Sequence, residues 1–424
     1  MDARSLALSV LAATLDGESL DTAFAAGDRR AKLEPRDRAF AHLLVLTGLR
    51  RLGQIEDAIG RCVEKPNQLP ARERNILRLG AAQLLFLGTA PHAAVNSAVN
   101  GTRDARLKGL VNAVLRRLSR EGAAIVAAQD SARLNTPDWL WRQLVAEVGE
   151  ARARAVAEVH LHEPPLDLSV AGNAADWAVQ LGAVVLPTGS LRLISHGAVD
   201  GLPGFAEGAW WVQDAAAALP ARLLLHALPG AQGALVADLC AAPGGKTAQL
   251  AAAGARVSAV DRDDTRLARV GENLRRLRLP ATLIAADARQ WQAPHLFDAV
   301  LLDAPCTATG TIRRNPDVPW HKDAKSALDL APVQEALLAA AARMLRPGGV
   351  LVYCVCSLDP REGRERAEAF LAAHPAFQRL PIAHDEVANL DVVSAEGDLR
   401  TYPYHLAEQA GMDGFFAARF KRLA

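Results

Sequence analysis

Two short segments each place a cysteine just beyond an apolar run: Asp303-Ala-Pro-Cys306 and Tyr353-Cys-Val-Cys-Ser357. Upstream, Asp238-Leu-Cys-Ala-Ala-Pro-Gly-Gly-Lys-Thr247 is a turn of small residues. Small residues let a backbone approach a ligand closely, and Gly244 and Gly245 open conformations that a side chain would forbid. The spacing is not the G-x-G-x-x-G dinucleotide fingerprint. Nor is it a P-loop, which needs four residues between its first glycine and its Gly-Lys pair. Asp261 stands 23 residues beyond Asp238, where a second-strand carboxylate takes hydrogen bonds from ribose hydroxyls. Asp287 closes the next apolar run, where a carboxylate meets an adenine amino group. A nucleoside held without a pyrophosphate clamp points to S-adenosylmethionine.

A cysteine beside a methyl donor has a definite use on cytosine. Carbon 5 of that ring is a poor nucleophile, and a thiolate added at carbon 6 turns it into an enamine that attacks an electrophilic methyl. The thiolate is the reactive form, favoured by an electropositive pocket. A protonated carboxyl or a hydrogen bond at ring nitrogen 3 stabilises the adduct, and the proton on carbon 5 must leave before elimination. Such chemistry wants two polar groups near the ring besides the nucleophile. No metal site is expected, because Cys354-Val-Cys356 offers two close sulfurs without the second pair that structural zinc requires. Cys62 reads as an inert buried thiol, and so do Cys240 and Cys354.

The elements that must position these residues follow a strand, turn, helix rhythm after about Gly208. Ala234–Leu239, Arg256–Val260, Ala281–Ala286, Asp298–Leu302 and Val350–Cys354 are short apolar runs. Helices are predicted over Lys246–Ala253, from just after Asp261 through Arg278, and over Val333–Leu345. Apolar strands alternating with helices imply a parallel sheet covered on both faces, an α/β Rossmann-like domain over residues 206–424. Ligands of such sheets sit at the carboxyl ends of strands, and Asp261, Asp287 and Asp303 lie at such ends. Residues 135–205 read as a small α/β segment, its opening helix running from Asp138 towards His160 until Glu163-Pro164-Pro165 stops it.

Residues 1–130 read as all-helical. Leu107, Leu110, Val111, Val114 and Leu118 recur at helical spacing and pack inward. The opposite face gathers Arg103, Arg106, Lys108, Arg116, Arg117 and Arg120. The length of 424 residues fits two or three domains, and the hydrophobic half of the chain excludes wholesale disorder. A net charge of +1 singles out no partner, but residues 1–135 hold 20 basic against 14 acidic side chains, compatible with an RNA-facing module. Five cysteines in such a chain make no disulfide framework and read as reduced cytoplasmic thiols. Leu6–Leu15 is expected to be an amphipathic helix rather than a signal core, since Asp2 offsets Arg4 and Asp16 and Glu18 follow at once. No stretch reaches the ~18 apolar residues of a membrane span. A cytoplasmic monomer is the expectation.

The motifs resemble the RNA cytosine-5 methyltransferases that use two cysteines. Asp238–Thr247 is similar to that family's cofactor loop, and Asp303–Cys306 with Thr307–Asp317 to its proline-cysteine motif and the basic stretch behind it. Tyr353–Ser357 with Asp359-Pro-Arg-Glu362 resembles its nucleophile motif. Trp210–Ala217 resembles the lead into its catalytic domain, and Gly414-Phe-Phe-Ala417 its closing strand. This resemblance covers roughly Asn135 to the C-terminus. Arg74–Phe86, Pro91–Asn96 and Leu110–Arg117 resemble NusB-like RNA-binding domains. A NusB-like domain joined to this catalytic domain is similar to bacterial enzymes that methylate a cytosine in small-subunit ribosomal RNA.

The resemblance implies that Cys356 is the nucleophile, that Cys306 releases product, and that Asp303 contacts the cytosine close to the methyl donor. It implies that Cys240, Ala241, Ala242, Pro243, Gly244, Gly245 and Lys246, with Asp261, Asp287 and Asp303, hold S-adenosylmethionine. The charge of Lys246 points further to raised thiolate character nearby. Arg313, Arg314, Trp320, His321 and Lys322 are expected to contact phosphate or stack on a base. Val355 stands where a threonine commonly precedes the nucleophile, and Ala308 where a glycine is common; neither change removes a reacting group. The expected partner is RNA, small-subunit ribosomal RNA first, with no membrane and no metal. The alternatives are the same reaction on transfer RNA and a non-catalytic NusB-like assembly factor.

Overall fold

In a computed structural model of the chain, every residue is described except Pro66, Asn67, His196 and Ala424. Two compact units emerge: Met1–Glu163 with Ile312–Ala324, and Pro164–Thr311 with Lys325–Ala424.

The first unit is helical. Its helices start where local chemistry satisfies their free N–H groups: Asp2 accepts from the Ser5 amide at the head of Ala3–Leu15, and Ser19 from that of Thr22 at the head of Leu20–Ala31. Proline opens Pro35–Arg50 and Pro91–Gly101 at the one turn that tolerates it. Leu6, Leu11, Leu44, Leu49, Ile55 and Ile59 are wholly buried in one core, and Val111, Val114, Leu115 and Leu118 of the long helix Ala105–Ala127 join it. The six basic residues on the other face of that region are all exposed. Arg106 pairs with Asp104 and Arg117 with Glu121. The single helix expected from Asp138 to His160 is two, Asp138–Val148 and Glu150–His160. Gly149 breaks it at φ +78°, a conformation that glycine adopts without strain.

The largest departure from expectation is the stretch after Cys306. Ile312–Ala324 belongs to the helical unit. Arg313 is 1% exposed, and its carbonyl accepts from Arg50 at 3.0 Å. The Trp320 ring packs against the helical core and donates through Nε1 to the Leu49 carbonyl at 3.1 Å, while Asp317 accepts from the Leu20 amide. His321 Nε2 lies 2.6 Å from the Thr14 carbonyl. A tryptophan and its neighbouring prolines bury more apolar area here than a solvated loop would. Arg313 and Trp320 are therefore packing residues rather than contacts for phosphate or base. Arg314 stays on the surface and Lys322 is half-buried.

The second unit holds two sheets. In the small one, β1 (Leu166–Val170) is flanked by β3 (Leu191–Leu193) and β4 (Trp210–Val212), with β2 (Val184–Val185) at the edge beside β3. A buried ion pair joins Arg192 to Asp167, and Arg192 also donates to the carbonyls of Gln409 and Gly411.

The large sheet has eight strands: β5 (Leu235–Leu239), β6 (Arg256–Asp261), β7 (Thr282–Ala285), β8 (Phe297–Asp303), β9 (Leu345–Val355), β10 (Phe377–Arg379), β11 (Leu399–Thr401) and β12 (Phe415–Arg422). Their order is β10-β12-β9-β8-β5-β6-β7, with β11 paired to β12. Pairs from β9 through β7 are parallel, and β12 runs antiparallel to β9. Val236, Ala299, Leu301, Val350 and Val352 face one core and Ala237, Leu239, Val300, Leu302, Leu351 and Tyr353 the other. That explains why each strand reads as an unbroken apolar run. The architecture is the expected α/β one: a Rossmann-like domain behind an all-helical one. No helix among the described residues is long and apolar enough to cross a membrane.

Candidate active site

Four adjacent strands deliver the sequence-derived residues to one edge. β5 ends at Leu239 and feeds Cys240–Lys246; β6 ends at Asp261; β7 ends just before Asp287; β8 ends at Asp303. Cys240 takes φ +60° and Gly244 φ +101°. A Cβ on Gly244 would lie 2.9 Å from Val270, so the turn is pressed against the helix Asp264–Leu277. Asp261 receives the amides of Ala242 and Asp263, each at 3.1 Å, which fixes its carboxylate and leaves lone pairs for hydroxyl donors. Asp287 is clasped by the Arg289 guanidinium, which holds its carboxyl below the ordinary range. A loop of small residues with two carboxylates on neighbouring strand ends is a donor set that fits the nucleoside of S-adenosylmethionine. Below the loop, Asp238 is buried and accepts from Thr247 Oγ1 at 2.6 Å; burial pushes its carboxyl up to about 7.

Register explains how the cysteines meet. Asp303, the last residue of β8, pairs with Cys354 on the parallel β9. The loop carrying Cys306 therefore leaves the sheet beside the loop carrying Cys356, and the two Sγ atoms lie 3.4 Å apart. Both residues are half-buried. Their shared hydrogen bond, with burial added, pushes the Cys306 thiol well up, so that sulfur keeps its proton. Cys354 lies within β9 two residues before Cys356, fully buried, with its Sγ 3.5 Å from Asp303 Oδ1. Burial pushes its thiol up too, and the half-buried Cys240 rises to about 12 for the same reason.

Lys246 Nζ binds Asp303 Oδ2 at 2.7 Å and sits 4.9 Å from the centre of the Phe415 ring. Burial opposes its charge, but Asp303 and its acidic surroundings outweigh that and hold the ammonium above its ordinary value. The lysine is thus committed to Asp303 rather than turned to the cysteine pair, and the sulfur that feels it is that of Cys354.

Several residues that shape the site carried no spacing signal. Glu362 gathers hydrogen bonds from both cysteine loops, Gln334 donates to it from the helix Ser326–Met344, and Arg400 donates to the carbonyls of Ser357 and Leu358. Gly310 donates to the Cys356 carbonyl at 3.0 Å and accepts from Gly414 at 2.8 Å, so close that a Cβ would stand 1.8 Å from the Gly414 oxygen. Ala308 takes φ +59° in the same loop, the conformation its common glycine counterpart would adopt freely. Val355 is buried in the sheet core. Among the described residues no cluster of three or more His, Cys, Asp or Glu is placed to hold a metal.

A parallel sheet with its cofactor loop and its thiols on one edge defines the class: an S-adenosylmethionine-dependent methyltransferase. The particular kind follows from comparison with known proteins. The profile of the 16S rRNA methyltransferase RsmB/F family matches residues 225–421, and that of the NusB family residues 1–120. The ribosomal RNA small subunit methyltransferase B of Vibrio cholerae is 39% identical, across 88% of this chain and 90% of its own. The Vibrio vulnificus protein of the same name is 35% identical, across 95% and 98%. Among solved structures, PH0851 superposes with a TM-score of 0.75 at 23% identity, covering 100% of this chain and 99% of its own, a likeness of fold. This chain belongs to the RsmB/F family of 16S rRNA methyltransferases, with a NusB-family domain at its N-terminus.

Proposed function

We propose that the protein methylates carbon 5 of a cytosine in small-subunit ribosomal RNA through a covalent adduct between Cys356 and carbon 6. The observation that carries this reading is the 3.4 Å approach of Cys306 and Cys356 beside Asp303. S-adenosylmethionine, when bound by Cys240–Lys246, Asp261, Asp287 and Asp303, supplies an electrophilic methyl. The chain supplies the rest. Cys356 adds to the ring and makes carbon 5 nucleophilic. Asp303, oriented by Lys246 and Cys354, contacts the pyrimidine edge. The carbon-5 proton passes to solvent water, the Cys356–carbon bond breaks to return the thiolate, and Cys306 is the residue needed for that release.

The target base is extruded into the site, at a cost of a few kcal/mol. The exposed basic face of the helical domain, with Arg103, Lys108, Arg116 and Arg120, gives RNA a phosphate-binding surface. The names of the two Vibrio relatives support ribosomal RNA as substrate. We place the protein in the cytoplasm, working as a monomer without metal.

The test is to incubate the protein with S-adenosylmethionine and unmodified small-subunit ribosomal RNA, digest the RNA, and quantify 5-methylcytidine by mass spectrometry. Stoichiometric 5-methylcytidine is the expected result. Product on transfer RNA alone would move the substrate, and a methylated base other than 5-methylcytidine would overturn the chemistry.

A further inference from the structure

We propose that Glu362 is a positioning residue that locks the two cysteine loops together and so sets the approach of Cys306 to Cys356. Its side chain is wholly buried. On the Cys306 side, the Thr307 amide donates to Glu362 Oε1 at 3.0 Å and to Oε2 at 3.2 Å, and the Thr307 hydroxyl donates to Oε2 at 2.5 Å. On the Cys356 side, the Ser357 hydroxyl donates to the same Oε2 at 2.5 Å. Thr307 and Ser357 are the residues directly after the two cysteines. One carboxylate oxygen therefore ties the backbone that carries one sulfur to the backbone that carries the other.

The remaining contacts stiffen this tie. Gln334 donates to Glu362 Oε1 at 3.1 Å and to the Pro305 carbonyl at 3.0 Å, bracing the proline-cysteine turn from the helix behind it. The Ser357 oxygen accepts from the Asp359 amide, and Thr309 Oγ1 accepts from the Leu358 amide. Tyr353 donates to the Glu362 backbone carbonyl at 2.5 Å, a bond that survives any substitution at 362. The side chain is thus the removable part of an otherwise fixed frame. A carboxylate that accepts several neutral donors is stronger than any of those donors paired with water, and its loss leaves both hydroxyls buried without their acceptor. Glutamine is a graded change. With its amide nitrogen at the Oε2 place, the Thr307 and Ser357 hydroxyls rotate to accept, while Gln334 and the Thr307 amide keep their oxygen.

The inference rests on the two-cysteine reading of the site, and its test needs neither RNA nor methyl donor. Phenylarsine oxide condenses with two neighbouring thiols, forming two arsenic–sulfur bonds and releasing one water with no change of oxidation state. The parent protein is expected to bind it tightly, and Cys306→Ala gives the background without the pair. In Glu362→Ala the affinity is expected to fall about tenfold or more, while S-adenosylmethionine binding stays as in the parent and melting stays cooperative at a lower temperature. Glu362→Gln should restore most of that loss. Should Glu362→Ala fail to fold, the double variant Thr307→Val, Ser357→Ala removes both hydroxyl ties from the loop side, keeps the Thr307 amide bond, and is expected to show a loss in the same direction. Arsenical affinity equal to the parent's in the folded variants would overturn the proposal. A parent that binds the arsenical but makes no 5-methylcytidine would overturn the functional reading and leave the positioning role standing.

Discussion

Between Asp238 and Thr247 the chain is shaped by its backbone: a positive φ at Cys240 and Gly244, Gly244 pressed against the helix Asp264–Leu277 and Gly245 against the Gln213 side chain. Between Asp303 and Thr311, and again between Cys356 and Glu362, it is shaped by side chains: Thr307 and Ser357 bonded to one buried glutamate, and Thr309 bonded to Ser357 and to the Leu358 amide. The two regions share a sheet edge but solve different problems. A cofactor needs open space close to main chain, which small residues provide. Two sulfurs that act on one ring need a fixed separation, and a hydrogen-bonded network buried from water provides it.

This contrast can be broken from either side. The largest effect is expected at Asp238 beneath the cofactor loop. Its folded value of about 7 stands against 3.8 for an ordinary aspartate. The native state keeps a proton that the unfolded chain releases, so the stability this group contributes is complete below about pH 4 and is lost as pH climbs through 7. Asp238→Asn, which cannot ionise and still accepts from Thr247, should gain on the parent as pH rises. The gap in urea denaturation reaches up to about 4 kcal/mol at pH 8. A gap that did not change between pH 5 and pH 8 would show that burial does not hold this acid protonated.

A middling effect belongs to Gly310→Ala, whose new methyl must displace the Gly414 carbonyl. It is expected to cost about 1–3 kcal/mol in denaturant titration and to loosen the cysteine pair, while S-adenosylmethionine still binds. Equal loss of both would mean that the two loops are one mechanical unit. The smallest effect is a gain. Ala308→Gly relieves the left-handed alanine at φ +59° but adds freedom to the unfolded chain, so stability should rise by less than about 1 kcal/mol. A loss there would show that the Ala308 methyl packs against something that matters.

What was legible in the sequence follows the same division. The apolar runs, their acidic ends and the glycine turn announce the parallel sheet and its cofactor edge, because burial on both faces and close backbone approach each demand residue types that show in order along the chain. The meeting of Cys306 with Cys356 depends on a register between β8 and β9 that no spacing records. Glu362 stood within a recognised motif, but its partners Thr307 and Gln334 lie 55 and 28 residues away. The stretch from Arg313 to Lys322 was misleading for a different reason. Basic and aromatic residues read as an RNA contact, yet Arg313 is buried in the helical unit and the half-buried Trp320 packs against its core, where an indole ring and an aliphatic stem pack as apolar surface. The break at Gly149 shows the weakness of running a helix through an unmarked glycine.

The proposed catalysis turns on the division of labour between two sulfurs, and trapping reads that directly. The Cys306→Ala variant, incubated with S-adenosylmethionine and small-subunit ribosomal RNA, should accumulate a protein–RNA adduct that survives denaturant, with the nucleotide mapped by peptide mass spectrometry to Cys356. The Cys356→Ala protein should form no adduct and no 5-methylcytidine. Normal turnover by Cys306→Ala, or an adduct mapped to any other residue, would contradict it.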